Sequence, residues 1–183
     1  MIVGLMGYAG AGKSEVAKIL RQRHGFVTPH IKAPMAEMLR TLLRHVGHDE
    51  ASCDRYINGD LKRAVIPELG VTPTHAQQTL GTEWGRRCIR DSLWLDIWCR
   101  EVDPALACGG RVALESCRFP DEAAAIRARG GLLVEVRRPG VGPVSAHESE
   151  SIPAEPDLMI ANAGSLEDLA DCVAGLRIHD PSA

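Results

Sequence analysis

The apolar run Ile2 to Met6 is followed directly by GYAGAGKS, Gly7 to Ser14. A short apolar run that ends at a glycine predicts a buried strand, and the pattern from Glu15 to Leu20 predicts a helix. The octapeptide fits G-x-x-x-x-G-K-[ST] at every fixed position. Its glycines allow successive N–H groups to point inward at phosphate oxygens, and the helix adds its positive N-terminal end. The sequence therefore predicts a triphosphate-binding turn between strand and helix, rather than a chance match in a glycine-rich turn.

This turn implies ATP and Mg²⁺ as the bound groups. Lys13 is predicted to reach the β- and γ-phosphates, and the Ser14 hydroxyl is the predicted Mg²⁺ ligand. The residues expected to bind ATP are Gly7, Ala9, Gly10, Ala11, Gly12, Lys13, Ser14 and Glu15.

Composition narrows the class of protein. The 183 residues suggest one domain, and the net charge of −3 gives no reason to expect nucleic-acid binding. The six cysteines are scattered with no C-x-x-C pair, so we expect neither a disulfide framework nor a cysteine-ligated metal site. No run of about 18 apolar residues occurs, which predicts no membrane span. We expect a reduced, cytoplasmic setting without a signal peptide.

The rest of the chain alternates predicted strands with predicted helices. This order predicts an α/β fold in three layers, with a five-stranded, mainly parallel sheet and helices on both faces. A helical insertion at about residues 48–90 and a lid loop at about 138–156 complete the single domain. The predicted strands are residues 2–6, 26–31, 111–115, 132–136 and 158–161. The predicted helices are residues 13–24, 35–46, 77–80, 92–107, 121–129 and 166–176. Residues 32–34 are predicted as a turn, and residues 48–73 are a more polar inserted segment interrupted by glycines and prolines. Ligands are expected beyond the carboxyl ends of the strands.

A family resemblance emerges from the middle of the chain onward. The run NGDLKRAVIPELGVTPTHAQQTLGTEWGR (residues 58–86) resembles the phage-type deoxynucleoside monophosphate kinases, which pair a P-loop with a Q-x-L-G-T-E-W-G-R segment. The likeness continues in CRFPDEAAAIRARGG (residues 117–131), VRRPG, HESE and IANAGSLEDL, and so covers nearly the whole chain. It implies a P-loop NTPase fold and ATP-dependent phosphorylation of a deoxynucleoside monophosphate.

Under this resemblance, three arginines are candidates to neutralise the transferred phosphoryl group. They are Arg118, Arg137 and Arg138, all predicted at strand ends. Together with Lys13 they form the predicted catalytic set, although each arginine has the alternative of pairing with a surface carboxylate. The lid loop, with His147 and Glu150, is expected to exclude water.

The acceptor site is predicted in the middle of the chain. Lys32 and Arg86 are candidates for the acceptor phosphate, with a solvated turn residue as the alternative for Lys32. Gln78 and Glu83 are candidates for hydrogen bonds to the base. Trp84 is predicted to stack on the base or, alternatively, to lie in the core. The pair Trp94 and Trp98 is expected in the core.

Two positions depart from the family pattern. Relatives have an aspartate two residues before the Arg-Phe pair, where this chain has Ser116, with Glu115 one position earlier. Since a one-residue shift along a strand reverses the side chain's direction, Glu115 cannot substitute unless the strand end is bulged. Either Ser14, phosphates and waters hold the metal alone, or the chain is a weak catalyst. The second departure is Ala36, where some relatives have lysine, which shifts the phosphate assignment to Lys32.

Two other functions stay open at this stage. One is another small-molecule P-loop kinase, such as a dephospho-coenzyme A kinase, and the other is a nucleotide-binding protein with little turnover. The Met- and Trp-containing helices are predicted to form either part of the core or a homodimer interface.

Overall fold

The computed structural model describes residues 1–142 and 152–176, which form two compact units. The first unit combines Met1–His30 with Cys99–Ala183, and the second is Ile31–Trp98. Much of the predicted lid, including His147 and Glu150, lies outside the described residues.

The described chain contains five strands, seven α-helices and one π-helical segment. In chain order they are β1 (Ile2–Met6), α1 (Lys13–His24), β2 (Phe26–Val27), α2 (Ala33–His45), α3 (Glu50–Ile57), α4 (Pro73–Thr79), the π-helix Leu80–Ile89, α5 (Leu93–Ala107), β3 (Arg111–Leu114), α6 (Pro120–Ala128), β4 (Leu132–Arg137), β5 (Leu158–Ala161) and α7 (Leu166–Gly175).

The first unit is built on a five-stranded sheet in the order β2-β3-β1-β4-β5. Every neighbouring pair is parallel, so all five strands end at the same edge. The predicted α/β fold with a five-stranded sheet is confirmed, and the sheet is wholly rather than mainly parallel.

Alternation along β1 directs side chains to both faces of this sheet. Val3 and Leu5 pack with residues of α1 and α7 in one buried cluster. Gly4 faces the opposite side, where a Cβ would lie 3.1 Å from Leu133 and 3.3 Å from Ile126 of α6. Helices therefore cover both faces, which makes the unit three-layered.

The second unit is helical and has its own small core. Its buried cluster comes from α2, α3 and one residue of the following loop: Leu39, Leu43, Cys53, Tyr56, Ile57 and Ile66. Trp94 and Trp98 are also buried, with 4% and 1% of their surfaces exposed. Their predicted core role is confirmed.

Several predicted boundaries were wrong for local reasons. The second strand ends at Val27 rather than at residue 31, because Pro29 has no N–H to donate to a ladder. The predicted turn at residues 32–34 instead begins α2, with Pro34 in the first turn, where a missing N–H costs nothing.

The stretch 48–73, part of the predicted helical insertion, contains α3, whose bounds the sequence did not give. Asp49 caps this helix by accepting a hydrogen bond from the Ser52 N–H at 2.8 Å. Further along, the helix predicted at residues 77–80 begins earlier, at Pro73, and Thr72 caps it by accepting a hydrogen bond from the His75 N–H at 3.2 Å.

The π-helix was not predicted at all. It ends with the Arg90 N–H donating to the carbonyl of Gly85 at 3.0 Å, a bond across five residues. The indole N–H of Trp94 donates to the carbonyl of Gly81 at 2.8 Å, and a Cβ at Gly85 would overlap the same indole. Trp94 thus packs directly against this segment.

All six cysteines are free thiols. Burial raises the pKa of the Cys117 thiol far above its ordinary value. Within residues 1–142 and 152–176, no group of three or more His, Cys, Asp or Glu side chains could hold a metal ion. The described helices include none that combines the length and apolar character needed to span a membrane.

Candidate active site at the carboxyl edge of the sheet

The turn after β1 has the backbone geometry that its glycines predict. Gly7, Gly10 and Gly12 have φ angles of +137°, +84° and +107°, a range that side chains with a Cβ rarely adopt. A Cβ at Gly7 would also lie 2.5 Å from the carbonyl oxygen of Val136. This turn, Gly7 to Gly12, is called the glycine loop below.

The glycine loop presents N–H groups at the start of α1. The Gly12 carbonyl accepts hydrogen bonds from the N–H groups of Glu15 and Val16, both at 3.1 Å. Within the described ranges, no acceptor takes the N–H groups of Gly10, Gly12 or Ser14. Such N–H groups beside a helix N-terminus form an anion-binding site.

Lys13 adds a positive charge to the loop. Its side chain is largely buried, with 9% of the residue exposed. Its Nζ donates to the carbonyl oxygens of Gly7 at 2.6 Å and Tyr8 at 2.9 Å. The ammonium group therefore lies against the loop whose N–H groups would bind phosphate.

The other predicted ATP-binding residues differ in their surroundings. Ala9 is exposed in the loop, whereas Ala11 is buried in the core below it. Glu15 forms an ion pair with Lys18 at 3.2 Å on the surface of α1.

Glu115 contacts the predicted metal ligand Ser14. The Ser14 hydroxyl donates to Glu115 Oε1 at 2.5 Å, and Glu115 Oε2 lies 3.4 Å from His30 Nε2. Glu115 follows β3, Ser14 lies in the first turn of α1, and His30 follows β2. The three residues therefore meet at the carboxyl edge of the sheet. The site thus has a carboxylate that strict strand alternation would have directed elsewhere.

The expectation that Glu115 would point away from the site was wrong because β3 ends at Leu114. Beyond a strand end, strict alternation of side chains no longer applies, so Glu115 reaches the glycine loop. Ser116, at the position of the expected aspartate, has a different role: its hydroxyl accepts a hydrogen bond from Arg118 Nε at 2.7 Å. The sequence signal for this contact was the acidic residue Glu115 directly after the apolar residues of β3.

Arg118 lies at the start of α6, where a buried carboxylate fixes the backbone. Glu122, 5% exposed, accepts hydrogen bonds from the N–H groups of Arg118 at 2.7 Å and Phe119 at 3.2 Å. These charge-assisted bonds hold the turn that carries the Arg118 side chain.

Arg137 is the last residue of β4 and Arg138 follows it, and the two side chains have different environments. Arg137 donates through Nε and Nη2 to the two oxygens of Glu135, at 2.8 and 2.9 Å. Glu135 is buried at 4% exposure, and this hydrogen-bonded pairing raises the pKa of Arg137. Arg138 is exposed and makes no ion pair with a carboxylate in the described ranges.

A cavity of about 700 Å³ adjoins these arginines in the first unit. It is bounded by the glycine loop and the ends of β4 and β5, and its walls are mostly apolar. The lining residues are Tyr8, Ala11, Glu135, Val136, Arg137, Arg138, Pro139, Val141, Ile152, Ala154, Glu155, Pro156, Ala161 and Ala163.

Asn162 is a further residue of this edge that sequence reasoning missed. It directly follows β5, and its side-chain Nδ2 donates to the carbonyl of Ala11 at 2.9 Å. A polar residue immediately after an apolar parallel strand was the signal that could have identified it.

The predicted acceptor residues all belong to the second unit. Lys32 is exposed at the start of α2, and Gln78 and Glu83, on α4 and the π-helix, are both exposed. Trp84 is 42% exposed, with its ring centroid 6.1 Å from that of buried Trp94, which disfavours the core alternative for Trp84. The last of the set is Arg86, which is partly buried.

Comparison with known proteins gives one informative relative. No protein-family model matches the chain. A protein of Acanthamoeba polyphaga mimivirus, described as "Putative deoxynucleotide monophosphate kinase", is 27% identical over 166 residues, which cover 82% of this chain and 80% of that protein. Among solved structures, "Crystal structure of TT1252 from Thermus thermophilus" covers 92% of both chains, at 19% identity and a TM-score of 0.48. The chain is thus similar to the viral protein over most of its length.

Proposed function

We propose that the chain is a deoxynucleoside monophosphate kinase, similar to the phage-type enzymes, that uses ATP and Mg²⁺. The similarity to the mimivirus protein supports a nucleotide kinase. The observation that carries the proposal is the glycine loop with Glu115 Oε1 at 2.5 Å from the Ser14 hydroxyl. An acid and a hydroxyl therefore lie beside an anion site, as phosphoryl transfer from a nucleoside triphosphate requires.

On the donor side, the N–H groups of Gly10, Gly12 and Ser14 and the Lys13 ammonium bind the phosphates of ATP. The mostly apolar cavity next to the loop takes the nucleoside part, because such walls suit an aromatic base.

The residues present fit a magnesium ion. Carboxylate and hydroxyl oxygens are the ligands Mg²⁺ prefers, and it is usually bound by one or two carboxylates plus phosphates and waters. Ser14 and Glu115 would hold it, and when bound it neutralises charge on the phosphate oxygens. Glu115 also orients the Ser14 hydroxyl.

The three arginines neutralise charge on the transferred group. The Arg137 guanidinium already has a carboxylate partner in Glu135, so a phosphate must compete with that pairing. Arg138, exposed at the same edge and without a carboxylate partner in the described residues, is the stronger candidate. Arg118 is held beside Ser116 for the same task.

On the acceptor side, Lys32 and Arg86 bind the monophosphate, Gln78 and Glu83 read the base, and Trp84 stacks on it. The accessible surfaces of Gln78, Glu83 and Trp84 support this assignment, because binding groups must be reachable by the substrate.

The test is a panel of acceptors with ATP and Mg²⁺, with diphosphate products measured directly. We expect at least one of dGMP, dTMP and dCMP to be phosphorylated, with dephospho-coenzyme A inert. Turnover of dephospho-coenzyme A alone would overturn the assignment. ATP binding without turnover of any acceptor would instead favour a nucleotide-binding protein.

A further inference from the structure

Asn162 links the end of the sheet to the glycine loop. Its main-chain N–H donates to the carbonyl of Arg137 at 2.7 Å, one step beyond the ladder that pairs Arg137 with Ala161. Its side chain donates from Nδ2 to the carbonyl of Ala11 at 2.9 Å. The amide group therefore reaches the loop from a backbone position fixed by strand pairing.

The bond to Ala11 fixes the direction of the next N–H group. A trans peptide is planar, and its C=O and N–H point in opposite directions. The described chain contains no cis peptide bond. Because Asn162 holds the Ala11 carbonyl, the N–H of Gly12, in the same peptide unit, points away from Asn162. No acceptor takes this N–H within residues 1–142 and 152–176.

Asn162 also occupies the space that a side chain at position 12 would need. A Cβ built on Gly12 would overlap Asn162 Nδ2. Gly12 has φ +107°, so a substitution there is strained as well. The residue pair is thus complementary: the amide fills the volume that glycine leaves open.

We propose that Asn162 is a positioning residue for the triphosphate of ATP, acting by orienting the Ala11–Gly12 peptide. Without its hydrogen bond this peptide can rotate, and the Gly12 N–H is lost to the phosphate site. This inference rests on the triphosphate-binding part of the proposed function, and it adds a residue outside the loop to that site.

The first test measures the Kd for Mg-ATP of Asn162→Ala and Asn162→Asp by isothermal titration calorimetry. We expect about a tenfold weaker Kd for the alanine variant, the usual effect of losing one hydrogen bond. The aspartate variant should lose more, because its carboxylate cannot donate to a carbonyl and it repels phosphate. Asn58→Ala, at an exposed helix end in the second unit, is the matched control and should leave the Kd unchanged.

Kinetics and thermal unfolding separate positioning from stability. The KM for ATP should rise in the Asn162 variants while the KM for the acceptor stays constant, which general loss of folded protein would not produce. Gly12→Ala should lower Tm less in the Asn162→Ala background than in wild type, because the amide overlap is gone. Asn162→Ser, which keeps the main-chain bond to Arg137, serves as a second variant if alanine folds poorly.

The outcomes distinguish this inference from the proposed function. Wild-type binding of Mg-ATP with no acceptor phosphorylated would remove the kinase proposal and leave the effect of Asn162 measurable. Equal Mg-ATP affinity in wild type and all Asn162 variants would overturn the inference alone. No Mg-ATP binding by wild type would overturn both.

Discussion

In the sheet-containing unit the candidate binding groups include main-chain N–H groups of a glycine-rich turn, whereas in the helical unit they are all side chains. The glycine loop is supported by its neighbours, with Gly7 against Val136 and the Ala11 carbonyl on Asn162. In the helical unit, Gln78 and Trp84 extend from surface helices. Surface ion pairs are prominent in this second unit: Arg40, for example, pairs with Glu50 at 2.9 Å and Asp54 at 2.5 Å.

The two units differ in which substitutions should disrupt their sites. A site made of backbone depends on a few positions that fix the chain path. A site made of side chains depends on the residues themselves and on a small core that holds their helices. Substitutions in the first unit should therefore affect mainly the use of ATP. Substitutions in the second unit should affect mainly stability or the binding of the acceptor.

The largest effect is expected from Lys13→Ala. Its buried ammonium contacts the glycine loop, so its removal should lower ATP-dependent product formation by about 10³-fold, near the limit of detection. Unfolding should be little affected. Lys18→Ala, an exposed lysine on the same helix, is the control. Unchanged activity of Lys13→Ala would rule out the donor site.

The stability of the helical unit is tested next by Leu39→Ala. Leu39 is 1% exposed in the small core, and truncating a buried leucine costs about 3 kcal/mol. Chemical denaturation should show this loss, while Leu42→Ala on the same helix, 45% exposed, should change stability by less than about 0.5 kcal/mol. Equal losses in the two variants would contradict the described core.

Glu115→Ala sharpens the assignment of the acid in the first unit. Loss of a carboxylate beside the Ser14 hydroxyl should lower kcat about 100-fold and raise the Mg²⁺ concentration needed for half-maximal rate. Adding Ser116→Asp should not restore activity, because Ser116 contacts Arg118 instead. Rescue by the added aspartate in this double variant would favour the family position over Glu115.

A smaller effect is expected from Trp84→Ala in the helical unit. Loss of one stacking surface should raise the KM for the acceptor about tenfold, with the KM for ATP unchanged. Since Trp84 is 42% exposed, Tm should fall little. Ile89→Ala, 54% exposed on the same π-helix, is the control. A parallel rise in both KM values would argue against an acceptor contact.

The smallest expected effect is a pH dependence of the stability that Asp168 contributes at the start of α7. Hydrogen bonds from Ser165 lower the pKa of Asp168 below its ordinary value. The stabilisation is therefore present above about pH 4 and is lost as pH falls through the lowered pKa. The Tm of Asp168→Ala should lie below that of wild type at pH 6, and the difference should shrink toward pH 3. A Tm difference that stays constant between pH 6 and pH 3 would contradict this expectation.

Sequence patterns predicted the first unit better than the second. The bounds of α1 and β5 were obtained directly, because the αL glycine Gly25 ends α1 and an apolar run defines β5. The glycine loop followed from its motif. In the second unit, α3 is eight residues long, too short to show clear periodicity, and the spacing of a π-helix matches no standard pattern.

Two site residues could not be predicted for a related reason. Whether Glu115 reaches Ser14 depends on β3 ending one residue earlier, and strand ends are fixed by tertiary hydrogen bonds rather than by local sequence. The contact of Asn162 with Ala11 joins positions 151 residues apart, which no local pattern encodes.

The π-helix from Leu80 to Ile89 implies an unusual tolerance to mutation. Its hydrogen bonds span five residues instead of the four of an α-helix, so a single deletion would let the segment wind as a regular helix. Every side chain beyond the deletion would then swing around the axis, and Glu83, Trp84 and Arg86 would leave their present directions. This stretch should accept changes of residue at its surface far more readily than changes of length.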